Sequence, residues 1–360
     1  MQTHQGVSLL LLSFAMGLAH AAPPSYPEYR VTIVGPANSR PVDINNAGAV
    51  IGTFQTGPNT TRGFVSQGKS YVALKALGTS SDASGINDKG EVVGNWLTKS
   101  GQSRGFIYAN GRQRDIGVIE GRGTGFRGIN NAGYTIALVS PADPLAPSPR
   151  SYLRAPKGKA WDIGTVPAEN PVTIAQALNN RNQITGESGS LFFPEQPFRA
   201  FLWSKGVMRD LGDFGETPNV GMDINDRGQV TGSMAVPGFH DQVAFIYSNG
   251  RLINIDPAPP TVERFSTGEG INNYGHVVGT SQQHGAFVYR GRRMESLNAL
   301  IDRRSGWTIS FPRAINDAGQ IAAWGDRNGV TYTVRLDLIR PHGMAAPHIE
   351  ADEGEASTAK

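Results

Sequence analysis

Ile224-Asn225-Asp226-Arg227-Gly228 decides the fold, because six relatives of this stretch stand elsewhere in the same chain. They are Ile44-Asn45-Asn46-Ala47-Gly48, Ile86-Asn87-Asp88-Lys89-Gly90, Ile129-Asn130-Asn131-Ala132-Gly133, Leu178-Asn179-Asn180-Arg181-Asn182, Ile271-Asn272-Asn273-Tyr274-Gly275 and Ile315-Asn316-Asp317-Ala318-Gly319. The first Asn recurs at intervals of 42, 43, 49, 46, 47 and 44 residues. A period in this range marks a repeat architecture, in which each unit buries its apolar face against the next.

Around each motif the same elements return. A short β-prone run follows it, as in Glu91-Val92-Val93-Gly94, Gln229-Val230-Thr231-Gly232 and His276-Val277-Val278-Gly279. After a variable loop comes an aromatic run, as in Gly105-Phe106-Ile107-Tyr108 and Ala200-Phe201-Leu202-Trp203. A tight turn such as Ala109-Asn110-Gly111 leads into a fourth element such as Asp115-Ile116-Gly117 or Asp210-Leu211-Gly212. Runs of β-branched and aromatic residues between Asn-Gly turns are hairpins. With the apolar run that ends in the motif, each unit of about 45 residues holds four strands, the content of one propeller blade. The expected fold is all-β, a seven-bladed β-propeller over residues 28–340, with no helical segment in it.

The chain ends favour a ring over an open β-solenoid. An orphan strand, Tyr29-Arg30-Val31-Thr32-Ile33-Val34, precedes the first unit, and the seventh unit stops after Tyr332-Thr333-Val334-Arg335-Leu336 without a fourth strand. The orphan strand is expected to close the last blade, which leaves no unpaired radial edge.

Asn and Asp in the motif suit turn chemistry, since their side chains bond nearby backbone groups. Gly takes the left-handed position, and Asn182 is the replacement that best tolerates it. Asp223-x-Asn225-Asp226-x-Gly228 loosely resembles a calcium loop but lacks the further oxygen ligands such a loop requires at fixed offsets. The aromatic strand is expected to pack between neighbouring blades.

Composition narrows the class. Of 360 residues, 18% are charged and 39% hydrophobic, with 45 Gly, 23 Pro and no Cys, a turn-rich globular mixture without thiol chemistry. A formal charge of +3 gives no footing for nucleic-acid binding. Leu9 to Met16 is apolar, Ala19-His20-Ala21 fits an A-x-A cleavage site, and no Asp, Glu, Lys or Arg precedes Glu28. Residues 1–21 are therefore expected to be a signal peptide, 22–27 a linker and 341–360 a disordered tail. The leader is shorter than the ~20 apolar residues that span a bilayer, so no transmembrane segment is expected in the mature protein. No Gly-rich phosphate loop stands between a strand and a helix, and no cofactor or metal is expected.

The turn motifs, with the small residue, Phe and aromatic-ended strand that follow them, resemble the extracellular HAF-repeat family of bacterial exported proteins over about residues 29–339. The literal His-Ala-Phe triplet is absent; Arg199-Ala200-Phe201, Val243-Ala244-Phe245 and His284-Gly285-Ala286-Phe287 come nearest. The resemblance implies export, to the periplasm or beyond, and repetitive β-structure; it implies no reaction.

Four-stranded blades divide the connections. The Asn-motif turns and Asn-Gly turns fall on one face, and the loops that vary fall on the other, where binding chemistry usually sits. There Arg62, Arg104, Arg150 and Arg199 occupy one position, just before the aromatic strand, in four successive units. Guanidinium forks match carboxylate or phosphate oxygens, which points to an acidic glycan or other anionic polymer as partner. The alternative lays each stem across the next blade with its head in water. A second class, a secreted hydrolase or lyase acting on a polysaccharide, draws on His240, Asp241 and His284 as a metal or acid–base group. Two acids or this trio gathered at the channel mouth favour the enzyme; an arginine-lined mouth without them favours binding. No feature sets the oligomeric state.

Overall fold

The computed structural model describes residues 27–75, 77–141, 149–169, 171–190, 197–237, 242–257 and 265–339. The expected leader, all but the last residue of the linker, and the expected tail lie outside the described residues. The rest forms seven four-stranded antiparallel sheets in a ring, a seven-bladed β-propeller. Blade 1 runs Ser39–Ile44, Val50–Gly57, Thr60–Gln67 and Ser70–Ala73, from the axis outward. The other inner strands are Ser80–Ile86, Thr124–Ile129, Pro171–Leu178, Asn219–Ile224, Ser266–Ile271 and Thr308–Ile315. Blade 7 closes as expected. Its outermost strand is the N-terminal Tyr29–Ala37, antiparallel to Val330–Leu338 with Tyr29 opposite Leu338 and Ile33 opposite Val334. One departure from all-β appears in the link between blades 6 and 7. There Leu297–Leu300 forms a helical turn whose two leucines enter the core between those blades.

Each motif turn has the predicted conformation. Gly48, Gly90, Gly133, Gly228, Gly275 and Gly319 have φ between 73° and 78°, and Asn182 stands at 57°. The asparagines do more than make turns. Each first Asn accepts, through Oδ1, the backbone N–H four residues on at 2.9–3.0 Å. Its Nδ2 donates to the carbonyl of the corresponding Asn in the next blade at 2.8–3.1 Å, from Asn45 round to Asn316, which donates back to Asn45. The second Asn or Asp closes a parallel ring, its Oδ1 accepting the backbone N–H of the preceding blade at 2.8–2.9 Å. Half of the motif's chemistry is therefore between blades. Leaving one of these buried groups unpaired costs about 1–3 kcal/mol, so the ring selects Asn at the first position.

The aromatic strand packs between blades, as its composition predicts. Seven hydrophobic clusters fill the seven blade interfaces; the one between blades 4 and 5, for example, joins Ala200 and Leu211 to Ile224, Val230, Met234 and Phe245. The size of each ring is matched across the strand pair. Phe64, Phe106, Phe201, Phe245 and Phe287 stand opposite Gly52, Gly94, Gly186, Gly232 and Gly279. At these glycines a Cβ would fall 1.9–2.3 Å from an inner-strand carbonyl oxygen. Where the glycine is replaced by Ala137 or Ala323, the opposite residue is Tyr152 or Val334 instead of Phe.

Candidate functional site

Every inner strand carries a β-bulge at one position, three residues before its motif Asn. The residues left out of the ladder are Val42, Ser84, Arg127, Gln176, Met222, Glu269 and Arg313. A bulge re-aims a side chain, and here two pairs of bulged residues from neighbouring blades meet. Arg127 Nη1 donates to Gln176 Oε1 at 2.7 Å, and Arg313 Nη1 to Glu269 Oε2 at 2.6 Å. The residue at this position changes from blade to blade: Val, Ser, Arg, Gln, Met, Glu and Arg. That was the available sequence signal, and attention to loops alone passes over it.

Two cavities open on the variable face and meet at Val42, Thr53 and Arg313. The first, about 950 Å³, lies between blades 7 and 1 and is walled by Phe54, Phe311, Trp324, Arg40 and Asp326. The second, about 580 Å³, is walled by Asp82, Ser84, Asn95, Arg127, Gln176 and Ser140. Together they form a funnel into the ring. On the turn face a recess of about 170 Å³ is lined by the motif residues with Asp43 and Asp223.

Burial governs the electrostatics of the channel. It raises Asp82 and Glu187, against hydrogen bonds from Ser84 and Asn95 to the former and the charge of Arg127 beside the latter. It also raises Glu269, though Arg313 pulls the other way. Burial thus favours the neutral form of these carboxyls, while Glu269 is still paired with Arg313 at 2.6 Å. Two residues before the motif Asn, five blades have Gly or Ala and blades 1 and 5 have Asp43 and Asp223. Each of these carboxylates accepts the N–H of the following residue and one from the next blade, Ile86 or Ile271, at 2.8–3.1 Å. Protein surrounds both, although each stays partly open to the channel. Burial pushes Asp43 up to about 7, the backbone bonds and Arg313 opposing it and Asp223 adding to it. Asp223 is raised by the same burial.

A carboxyl raised in the folded state binds its proton more tightly there than in the unfolded chain, whose pKa is about 3.9. The stability contributed by Asp43 is thus present at low pH and is lost as pH rises through about 7. Denaturant midpoints measured between pH 5 and pH 8 should fall across that window, and the Asp43 carboxyl should titrate near its upper end by NMR. A carboxyl titrating near 4 contradicts this.

The four arginines of the sequence pattern do share one register position, opposite Phe54, Trp96, Val139 and Ser188. They stand on the third strand, outward of the bulge ring. Three are matched to an acid on the fourth strand of their own blade. Arg104 pairs with Asp115 at 2.6 Å, Arg150 with Asp162 at 3.1 Å, and Arg199 with Asp210 and Asp213 at 3.0 and 3.2 Å. Blade 1 has Ala73 where the others have this Asp, and Arg62 Nε is buried without a hydrogen-bond partner among the described residues. His240 and Asp241 lie outside the described residues. His284 stands partly buried in the turn between Val277–Ser281 and Gly285–Arg290. Among the described residues no group of three His, Asp or Glu is placed to hold a metal ion. None of their helices is long and apolar enough to cross a membrane.

No family model matches the chain, and no curated protein matches it in sequence. Solved structures do match in shape. The β-propeller domain of the Trilobed protease from Pyrococcus furiosus, described as having an open velcro topology, aligns with a TM-score of 0.57 at 8% identity, covering 85% of this chain and 95% of that one. The acylaminoacyl peptidase of Pyrococcus horikoshii aligns at 0.54 and 9% identity, covering 83% of this chain and half of that one. YCF48 bound to a D1 peptide aligns at 0.51 and 9% identity, covering 88% and 98%. At such identities the likeness speaks for the propeller fold alone.

Proposed function

We propose that this protein is an exported binding module, of the HAF-repeat kind, that holds an anionic envelope or extracellular polymer at the funnel on its variable face. One observation carries the reading. At the bulged position the blades carry Val, Ser, Arg, Gln, Met, Glu and Arg, and five of these, Arg127 and Arg313 among them, line an open funnel. A rigid ring presenting divergent residues at one mouth suits recognition. The solved complex of a similarly shaped propeller, YCF48, with a peptide is in keeping with a binding role. Arg104, Arg150 and Arg199 already have carboxylate partners, and Arg313 has Glu269, so of the two bulged arginines Arg127 is the one with no ion pair among the described residues.

Purified protein on an array of uronate, sulfated, phosphorylated and neutral glycans should retain the anionic members selectively. Retention should weaken with salt. Affinity for a sulfated polymer, whose own charge is constant, should also fall as pH rises and the raised funnel carboxyls ionise. Folded protein that binds no anionic member sinks the proposal.

A second reading, a polysaccharide hydrolase or lyase, is favoured by Asp82, a half-buried acid with a raised pKa on the cavity wall. Against it, Asp82 Oδ1 already accepts bonds from Ser84 and from Asn95. Incubating bound polymers with wild type and Asp82→Asn distinguishes the readings: chain scission lost in the variant establishes the enzyme.

A further inference from the structure

Blades 7 and 1 are joined differently from the rest. The outermost strand of blade 7 ends at Ala37 and the inner strand of blade 1 begins at Ser39, so one residue, Asn38, makes the link at φ 57°. The other blades are joined by six residues or more, as between Ala73 and Ser80. With no loop to cover it, the junction stays open as the cleft of about 950 Å³, within the size range of ligand sites.

Its walls have a specific chemistry. The rings of Phe311 and Trp324 lie 5.4 Å apart and tilted by 39°, with Phe54 across the cleft. The exposed Arg40 guanidinium rests 5.4 Å from the Trp324 ring centroid and has no acidic partner among the described residues. Trp324 Nε1 has no acceptor among the described residues either. Thr61 and Gln55 add a hydroxyl and an amide at the rim.

We propose that the cleft between blades 7 and 1 binds a carboxylated sugar ring of an acidic glycan, its carboxylate on Arg40 and its C–H face against the aromatic wall. The inference rests on the binding role given above and narrows it to one ligand class and one place. The planar guanidinium matches a carboxylate fork, whereas the aromatic rings offer nothing to a bare polyanion. The glycan continues over Val42 and Arg313 into the second cavity. An acidic peptide would have to add to the innermost strands Ser39–Ile44 or Thr308–Ile315, each paired on one side only, and would leave the aromatic wall unused; poly-glutamate tests that occupant.

Calorimetric titration tests this with short uronic-acid oligosaccharides, their carboxyl-reduced counterparts, a sulfated neutral oligosaccharide and poly-glutamate. Wild type should bind the uronate and lose it on carboxyl reduction. Arg40→Ala should raise Kd about tenfold or more, as expected for losing a hydrogen bond to a charged group. Arg40→Lys should fall between, Trp324→Phe should weaken binding, and Arg251→Ala, on the opposite face, should match wild type. Uronate binding unchanged in Arg40→Ala, equal binding of the reduced sugar, or preference for poly-glutamate overturns the assignment. Binding of the sulfated sugar alone also overturns it while leaving the broader reading intact. Binding of no anionic glycan removes both.

Discussion

Deleting Tyr29–Ala37 should replace the wild-type species with aggregates. The strand supplies the whole outer edge of blade 7, and its loss exposes the hydrogen-bonding groups of Val330–Leu338. An unpaired edge of this length is a template for association. The loss also reaches both neighbouring interfaces. Tyr29 belongs to the cluster between blades 6 and 7, and Val34 to the cluster between blades 7 and 1. Thr32 Oγ1 donates to Asp337 Oδ2 at 2.8 Å, so deletion also removes a polar bond. Size-exclusion chromatography should show these aggregates, and a synthetic peptide of the nine deleted residues should restore part of the wild-type peak by strand addition. A deletion variant that elutes with the wild type and unfolds in one transition at the wild-type midpoint is incompatible with a ring closed by this strand.

Phe245→Ala should destabilise the folded state by about 3–5 kcal/mol, the usual cost of removing a fully buried aromatic ring. Phe245 is 0% exposed and packs between blades 4 and 5. The cavity is hard to collapse, because the facing residue is Gly232, which has no side chain to move in. Adding one does not rescue the variant: a Cβ on Gly232 would stand 2.0 Å from the Val220 carbonyl oxygen. The double variant Phe245→Ala/Gly232→Ala should therefore be less stable than the single one. Urea unfolding followed by far-UV circular dichroism measures both. A loss below about 1 kcal/mol for Phe245→Ala, the range of tolerated surface changes, contradicts this account of the interface.

Blade number, strand count and closure were legible because they follow from short patterns. A left-handed Gly or Asn after Asn-Asn or Asn-Asp ends one strand and starts the next by local backbone sterics alone. Phe opposite Gly, and Tyr or Val opposite Ala, is a constraint within one hairpin, so it too is written in neighbouring residues. The arginine arc was legible as a register and misleading as a site. Asp115, Asp162 and Asp210 were visible in the sequence as part of a fourth-strand motif. Only the pairing of third and fourth strands puts each of them within reach of an arginine.

The sequence by itself determined the repeat, the hairpins, the ring and the uniform turn face, since each depends on contacts a few residues apart or on simple periodicity. The tertiary structure decided which residues of different blades meet. Ring closure brings Asn45 against Asn316, Arg313 against Glu269, and Arg40 against Trp324, pairs whose members come from different blades. A bulge gives no sign in composition of which way its residue turns, and a cleft opened by one short link appears only when the last blade meets the first. Those two geometric outcomes place Arg127 and Arg313 at the axis and leave Arg40 beside an open aromatic wall.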